Sequence, residues 1–195
     1  IKLWKIDNTN GERRYQGNER TYQGHRDFVC ALAVLDSQTF ISGSDDNTIK
    51  LWKIDKTSPE RTYRDHRDQV QALAVLDSQT FISGSDDKTI KLWKIDNDNA
   101  LRTYQGHTGF VRALATMDSQ TFISGSDDKT IKLWKIDNNY ELSTYEGHTD
   151  FLLTLAMLDS QTFISGSRDK TIKLWNIHNG NALHTFEGHT GLVRA

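Results

Sequence analysis

The chain has 195 residues, and its 24 basic and 26 acidic side chains leave a formal charge of −2, too little field to gather a nucleic-acid backbone or an anionic membrane surface. Cys30 is the single cysteine, which excludes a disulfide framework, and no apolar run approaches the roughly 20 residues of a membrane-spanning helix. These features set the expectation of a reducing, cytoplasmic compartment, with neither nucleic acid nor membrane as partner.

In chain order, Ile1 to Asn8 (IKLWKIDN) reads the same as Ile90 to Asn97, so the chain opens inside a repeating unit. Next, Glu12 to Asn18 (ERRYQGN) is followed directly by Glu19 to His25 (ERTYQGH), a tandem duplication that sets Trp4 48 residues before Trp52. The expectation is a looped-out or frayed segment at the rim, with Arg13, Arg14 and Arg20 as a solvated loop in preference to a basic patch. The stretch DSQTFISGSDDKTIKLWKID at Asp77 to Asp96 then recurs, with small changes, at Asp36 to Asp55, Asp118 to Asp137 and Asp159 to His178. Trp52, Trp93, Trp134 and Trp175 keep a period of 41 residues, the mark of a repeat architecture whose units bury their apolar surface only against neighbours.

We divide the chain into units at about 25–65, 66–106, 107–147 and 148–188, with partial units at 1–24 and 189–195, all within one region spanning 1–195. Pro59, the only proline, falls in a connection, where a missing amide donor does least harm. Glu187 to Ala195 (EGHTGLVRA) begins a further unit, so the chain reads as a stretch of a longer one.

Each unit carries four short runs rich in β-formers and separated by turn residues; in the third they are Leu101 to Tyr104, Phe110 to Met117, Thr121 to Ser124 and Thr130 to Ile136. Turns at Asp118-Ser119-Gln120 and Ser126 to Lys129 are too short for anything but an antiparallel meander. Ile131 and Leu133 fall on one face of the last run and Trp134 and Ile136 on the other, so each small sheet needs cover on both sides. Stacking such sheets around an axis meets that need: the predicted fold is an all-β β-propeller of four-stranded antiparallel blades.

Every unit also repeats His, Ser, Asp and Trp at fixed offsets: His25, Ser42, Asp46 and Trp52; His66, Ser83, Asp87 and Trp93; His107, Ser124, Asp128 and Trp134; His148, Ser165, Asp169 and Trp175. A hydrolytic triad needs one exposed nucleophile, whereas four identical sets imply one structural task performed once per unit, so no catalytic residue is assigned. Histidines 41 residues apart, without a Cys-x-x-Cys pair, do not make a zinc site, and no metal or cofactor is expected.

Together these residues resemble the WD-repeat β-propeller family, marked by the Gly-His pairs at Gly24-His25, Gly106-His107, Gly147-His148 and Gly188-His189, by turns such as Gly43-Ser44-Asp45-Asp46, and by a tryptophan six residues after that aspartate. Two departures stand: Lys5, Lys53, Lys94, Lys135 or Asn176 follows the tryptophan in place of the namesake aspartate, and Asp65 precedes His66 where glycine is usual. The resemblance implies that the four sets are structural tetrads. It also implies complete blades from about Phe28, Val70, Phe110 and Phe151, a fifth split between the two ends without its second strand, and membership in a larger ring of about seven blades. An open edge would remain, inviting self-association.

Positions that differ between units are the candidates for binding. Three residues after each histidine stand Phe28, Gln69, Phe110, Phe151 and Leu192; five after stand Cys30, Gln71, Arg112, Leu153 and Arg194; before the tetrad aspartates stand Asp45, Asp86, Asp127 and Arg168. In the family such positions border the channel entrance. Their aromatic and guanidinium content suits a non-catalytic scaffold for peptide or protein partners, with Arg112 and Arg168 dispensable for stability. The phenylalanines have a second reading, as packing between blades. The alternative function is a targeting or regulatory part of a larger enzyme or signalling protein.

Overall fold

The structure, a computed structural model, describes residues 1–7 and 14–194. Its described strands are β1 (Lys2–Asp7) and β2 (Arg14–Thr21), followed by four sets of four. These are β3 (Val29–Val34), β4 (Thr39–Ser44), β5 (Ile49–Lys53) and β6 (Arg61–Tyr63); β7 (Val70–Val75), β8 (Thr80–Ser85), β9 (Ile90–Lys94) and β10 (Arg102–Tyr104); β11 (Val111–Thr116), β12 (Thr121–Ser126), β13 (Ile131–Lys135) and β14 (Glu141–Tyr145); and β15 (Leu152–Met157), β16 (Thr162–Ser167), β17 (Ile172–Asn176) and β18 (Ala182–Phe186). Each set is one antiparallel sheet in sequence order, and the first strands β3, β7, β11 and β15 lie against one another in succession. The architecture is a β-propeller of four complete blades.

Local chemistry explains the meander. After the first strand of each blade an aspartate accepts two backbone amides, Gln38 and Thr39 on Asp36 at 2.7 and 2.9 Å, and Asp77, Asp118 and Asp159 do the same. Between the second and third strands the turn ends on a left-handed residue, Asn47, Lys88, Lys129 or Lys170, with φ of 64–70°. This is a type I turn followed by a bulge, which suits the twist of a hairpin.

Blades meet through apolar faces. Ile41, Ile49, Leu51 and Tyr63 of the first complete blade pack on Val70, Phe81 and Trp93 of the second, and the same joint recurs twice more. A Cβ on Gly43 would stand 2.7 Å from Val70 Cγ1, and one on Gly84 2.6 Å from Val111 Cγ1, so glycine is required in these strands by the closeness of the next blade. Each joint is pinned at the outside by a tyrosine hydroxyl: Tyr22 to the Ile54 carbonyl, Tyr63 to Ile95, Tyr104 to Ile136 and Tyr145 to Ile177, at 2.7–3.0 Å.

The two ends differ from expectation. Arg14 to Asn18 belong to β2: Arg14 to Gln16 pair with β1, whose partners step from Arg20 at Leu3 to Gln16 at Lys5, so Gly17 and Asn18 fall in the register shift. The duplicated segment extends β2, and a bulge there absorbs part of the surplus backbone. Glu12 and Arg13 lie outside the described residues. Of the three arginines, Arg20 donates to the Ile54 carbonyl, a fixed contact at the rim. Among the described residues no strand pairing joins the N-terminal sheet to residues 187–194: β1–β2 rests on the first complete blade, while Val193 caps the last, its amide 3.1 Å from the Ser167 carbonyl.

Inside each blade the tryptophan indole N–H donates to the serine Oγ at 2.7 Å, the serine lies 2.6–2.7 Å from the histidine Nε2, and the histidine Nδ1 lies 2.7–2.9 Å from the aspartate Oδ2. A carboxylate only accepts, so Nδ1 carries the proton and the serine hydroxyl donates to Nε2. The aspartate is saturated further by a threonine two residues on and by the amide after the histidine, as Thr130 Oγ1 and the Thr108 amide bind Asp128 at 2.7 and 2.9 Å. Burial by itself would push these four carboxyls up, but the threonine, histidine and amide donors outweigh it and hold all four below the usual range, Asp169 at about 2. Burial outweighs the aspartate at His25 and His148 and holds both imidazoles below their ordinary value.

Two outcomes follow. Trp134→Ala lowers unfolding free energy by about 3–5 kcal/mol through the cavity it leaves, and His107→Ala by about 1–3 kcal/mol by stranding Ser124 and Asp128; chemical denaturation measures both. Acidification removes stability in two stages: first below pH ~6.5, where the unfolded chain protonates His25 and His148 before the folded one does, then below pH ~4 as the depressed aspartates titrate. A melting temperature flat from pH 7 to pH 3 would contradict the tetrad geometry.

Candidate functional site

The first strand of each blade lines the inside of the arc, so side chains five residues after each histidine point toward a common concavity. Cys30, Gln71, Arg112, Leu153 and Arg194, from five successive units, line one cavity of about 770 Å³ together with Asp127, Phe151, Arg168 and Leu192. The remaining candidates border it. Gln71 Nε2 bonds Asp45 Oδ1 and Gln69 Oε1 at 3.3 and 3.0 Å, Cys30 Sγ donates to Asp45 Oδ1 at 3.0 Å, and Asp86 meets Arg112.

Phenylalanines are not buried between blades. Phe28 is 78% exposed, while Phe110 and Phe151 each carry a guanidinium, Arg112 at 5.0 Å and Arg168 at 5.5 Å from the ring centre. Phe28, Cys30, Phe110, Arg168, Leu192 and Arg194 are the exposed members of the set.

Arg112 is not dispensable for stability. Its Nε and Nη2 grip Asp127 at 3.0–3.2 Å, and its Nη1 reaches across to Asp86 Oδ1 of the preceding blade at 3.1 Å, although without the alignment of a hydrogen bond. Both carboxylates are 9% exposed, so removing the arginine would leave two nearly buried charges unpaired. Arg168, by contrast, has Asp150 at 3.9 Å and the Phe151 ring beside it, and stands largely in solvent. Burial, with Asp45 adding to it, pushes the Cys30 thiol up to about 11, which keeps it a protonated donor and a poor nucleophile.

Sequence reasoning overlooked a second set of repeated residues. Lys50, Lys91, Lys132 and Lys173, all in the third strands, each donate to a threonine of the fourth strand at 2.8–3.0 Å, and Lys91 and Lys132 add Asp65 and Glu141. The threonines two residues after the tetrad aspartates were overlooked as well. Both sets were visible as constants of the repeat, but a lysine in a strand reads as solvent-facing until its partners are known.

Burial pushes the Asp86 carboxyl up to about 6, with Arg112 opposing and Asp68, Asp127 and Asp45 adding to the rise. A raised folded value means that ionised Asp86 costs stability above pH ~6, and the cost disappears as pH falls toward the unfolded value near 4. Asp86→Asn is therefore more stable than the parent at pH ~8, with the advantage fading between pH ~6 and pH ~4. Denaturant unfolding at three pH values checks the sign.

With this geometry in hand, comparison with known proteins gives a consistent answer. The family model described as WD domain, G-beta repeat matches residues 17–53, 57–94, 98–135 and 139–176. The crystal structure of the WD40 β-propeller domain of Doa1 is similar to this chain at 32% identity and a TM-score of 0.85, over 99% of this chain and 64% of the other. Curated proteins furnish no match. WD40 propellers are in general protein-interaction scaffolds and typically lack catalysis. Four matched repeats, each with its own tetrad and blade, show that the chain belongs to the WD-repeat β-propeller family.

Proposed function

We propose that this chain is a non-catalytic scaffold that binds a peptide or protein partner on the concave mouth of the arc. One observation carries the reading: units alike almost letter for letter diverge at the positions that converge on a single cavity. Packing alone would keep those positions alike, as it keeps Ile41, Ile82 and Ile123 alike in the blade joints. Solvent-facing Phe28 and Leu192 supply apolar anchors, and Arg168 and Arg194 supply planar donors for carboxylates or backbone carbonyls.

Both signs of charge share the mouth, Asp45, Asp86 and Asp127 beside Arg112, Arg168 and Arg194, which suits a mixed-charge polypeptide better than a uniformly anionic backbone. The tetrad serines are buried with their oxygens engaged, which supports a role without chemistry. A cytoplasmic location is part of the same proposal.

The test compares partner capture by the parent, by a variant carrying Phe28→Ala, Arg168→Glu and Arg194→Glu, and by a rim control, Tyr140→Ser, whose ring is exposed away from the cavity. The mouth variant loses about tenfold or more in affinity for each captured partner, with its melting temperature within a degree or two of the parent. Equal capture by the mouth variant overturns the assignment of the face. Arg112→Ala behaves differently, losing stability as well as binding.

A further inference from the structure

Outside the mouth, each of the first two complete blades holds a polar cavity beside its tetrad, and the two cavities are built from the same six places. In the first blade Gly24, Arg26, Asp46, Thr48, Lys50 and Arg64 enclose about 120 Å³. In the second their counterparts Asp65, Arg67, Asp87, Thr89, Lys91 and Gln105 belong to a wider cavity of about 490 Å³. Every residue lining the second lies between positions 65 and 107, and every residue lining the first between 24 and 64, so each cavity is shaped within its own unit.

Their charges differ. In the second blade the Asp65 carboxylate accepts from the buried Lys91 ammonium at 3.0 Å, and Thr103 accepts beside it. In the first, glycine stands at the place of that carboxylate, and Lys50, 4% exposed, donates to Thr62, one acceptor for three protons. Among the described residues Lys50 forms no ion pair, and neither do the exposed guanidiniums of Arg26 and Arg64. Asp46, the one acid of this cavity, is already engaged by His25, Thr48 and the Arg26 amide. Burial, with Arg64 and Arg26 adding to it against the pull of Asp46, holds the Lys50 ammonium below its ordinary value. The later units supply a contrast: Gln105, Glu146 and Glu187 stand at the place of Arg64, and Arg67, Thr108 and Thr149 at the place of Arg26. Of the four complete blades, the first alone therefore brings three cations to this position, one of them buried without an acid.

We propose that this cavity binds the phosphate group of a phosphate monoester, seated where the second blade holds the Asp65 carboxylate. Two guanidiniums and an ammonium match a group with nearly two negative charges and three acceptor oxygens, whereas a single carboxylate answers Lys91. The cavity is smaller than the roughly 300–1,000 Å³ of a pocket for a whole small molecule, so it takes the charged head and leaves the rest of the ester outside, beside Arg26 and Arg64. It shares no residue with the mouth cavity, and the inference does not rest on the function proposed for that face.

The test is calorimetric titration of the full chain, at constant ionic strength, with N-acetyl phosphoserine amide, inorganic phosphate and, as the carboxylate counterpart, N-acetyl aspartate amide. The phosphoserine derivative binds saturably with one equivalent, and the aspartate derivative binds about tenfold more weakly or less. Arg64→Gln and Arg26→Thr each weaken binding about tenfold; both positions are exposed and each substitute is a residue the repeat itself carries there, so the fold persists. Asp65→Gly combined with Gln105→Arg gives the second blade the same three cations and adds a second equivalent. Absence of saturable binding, equal affinity for the aspartate derivative, or a stoichiometry that stays at one in the double variant overturns the proposal. Binding of inorganic phosphate without the ester overturns it in favour of a free-ion site, and loss of binding with Arg168→Glu and Arg194→Glu but not with Arg64→Gln overturns it in favour of the mouth.

Discussion

A serine hydroxyl shut away from water, accepting from an indole on one side and donating to an imidazole on the other, is the constraint on which each blade depends. Ser42, Ser83, Ser124 and Ser165 are at most 1% exposed, so every lone pair and proton they carry must find a partner inside the protein. The indole comes from the third strand, the imidazole from the lead-in to the first and its carboxylate from the turn between the second and third, so a single hydroxyl sets the spacing of the whole meander. Serine, histidine and aspartate thereby adopt the order of a hydrolytic triad with a different result. The oxygen that would attack is already occupied and has no route to a substrate.

Tetrads close each blade but leave its two apolar faces uncovered, and that deficit builds the arc. Every interior joint repeats one solution, a hairpin carrying isoleucine and glycine laid against valine or leucine, phenylalanine and tryptophan. Stability in such a chain accrues joint by joint, as in other repeat proteins.

The mouth obeys a looser rule. Nothing in the tetrads or the joints constrains the residues five after each histidine, so Cys, Gln, Arg, Leu and Arg share equivalent places. Some have become structural even so: Arg112 clasps Asp127 and reaches Asp86 across a blade boundary, and Cys30 donates to Asp45. Of the side chains left to solvent, Phe28, Arg168, Leu192 and Arg194 are those on which recognition rests in our proposal.

Residue pattern alone determined the all-β repeat, the meander within each unit, its turns and the residues of the tetrads, because these follow from contacts within 41 residues that recur letter for letter. Most of the positions that line the cavity were also legible, as the places where near-identical units disagree. Tertiary structure decided the rest. Whether Arg112 was free or clasped depended on the distance between neighbouring blades, and whether Arg14 to Gln16 looped out depended on the edge that β1 offered them. The buried lysines gained meaning only beside the threonines of the adjacent strand. A sequence records which side chains recur, but charge pairing and strand pairing across units depend on separations of a few ångströms, and only the packed chain sets those.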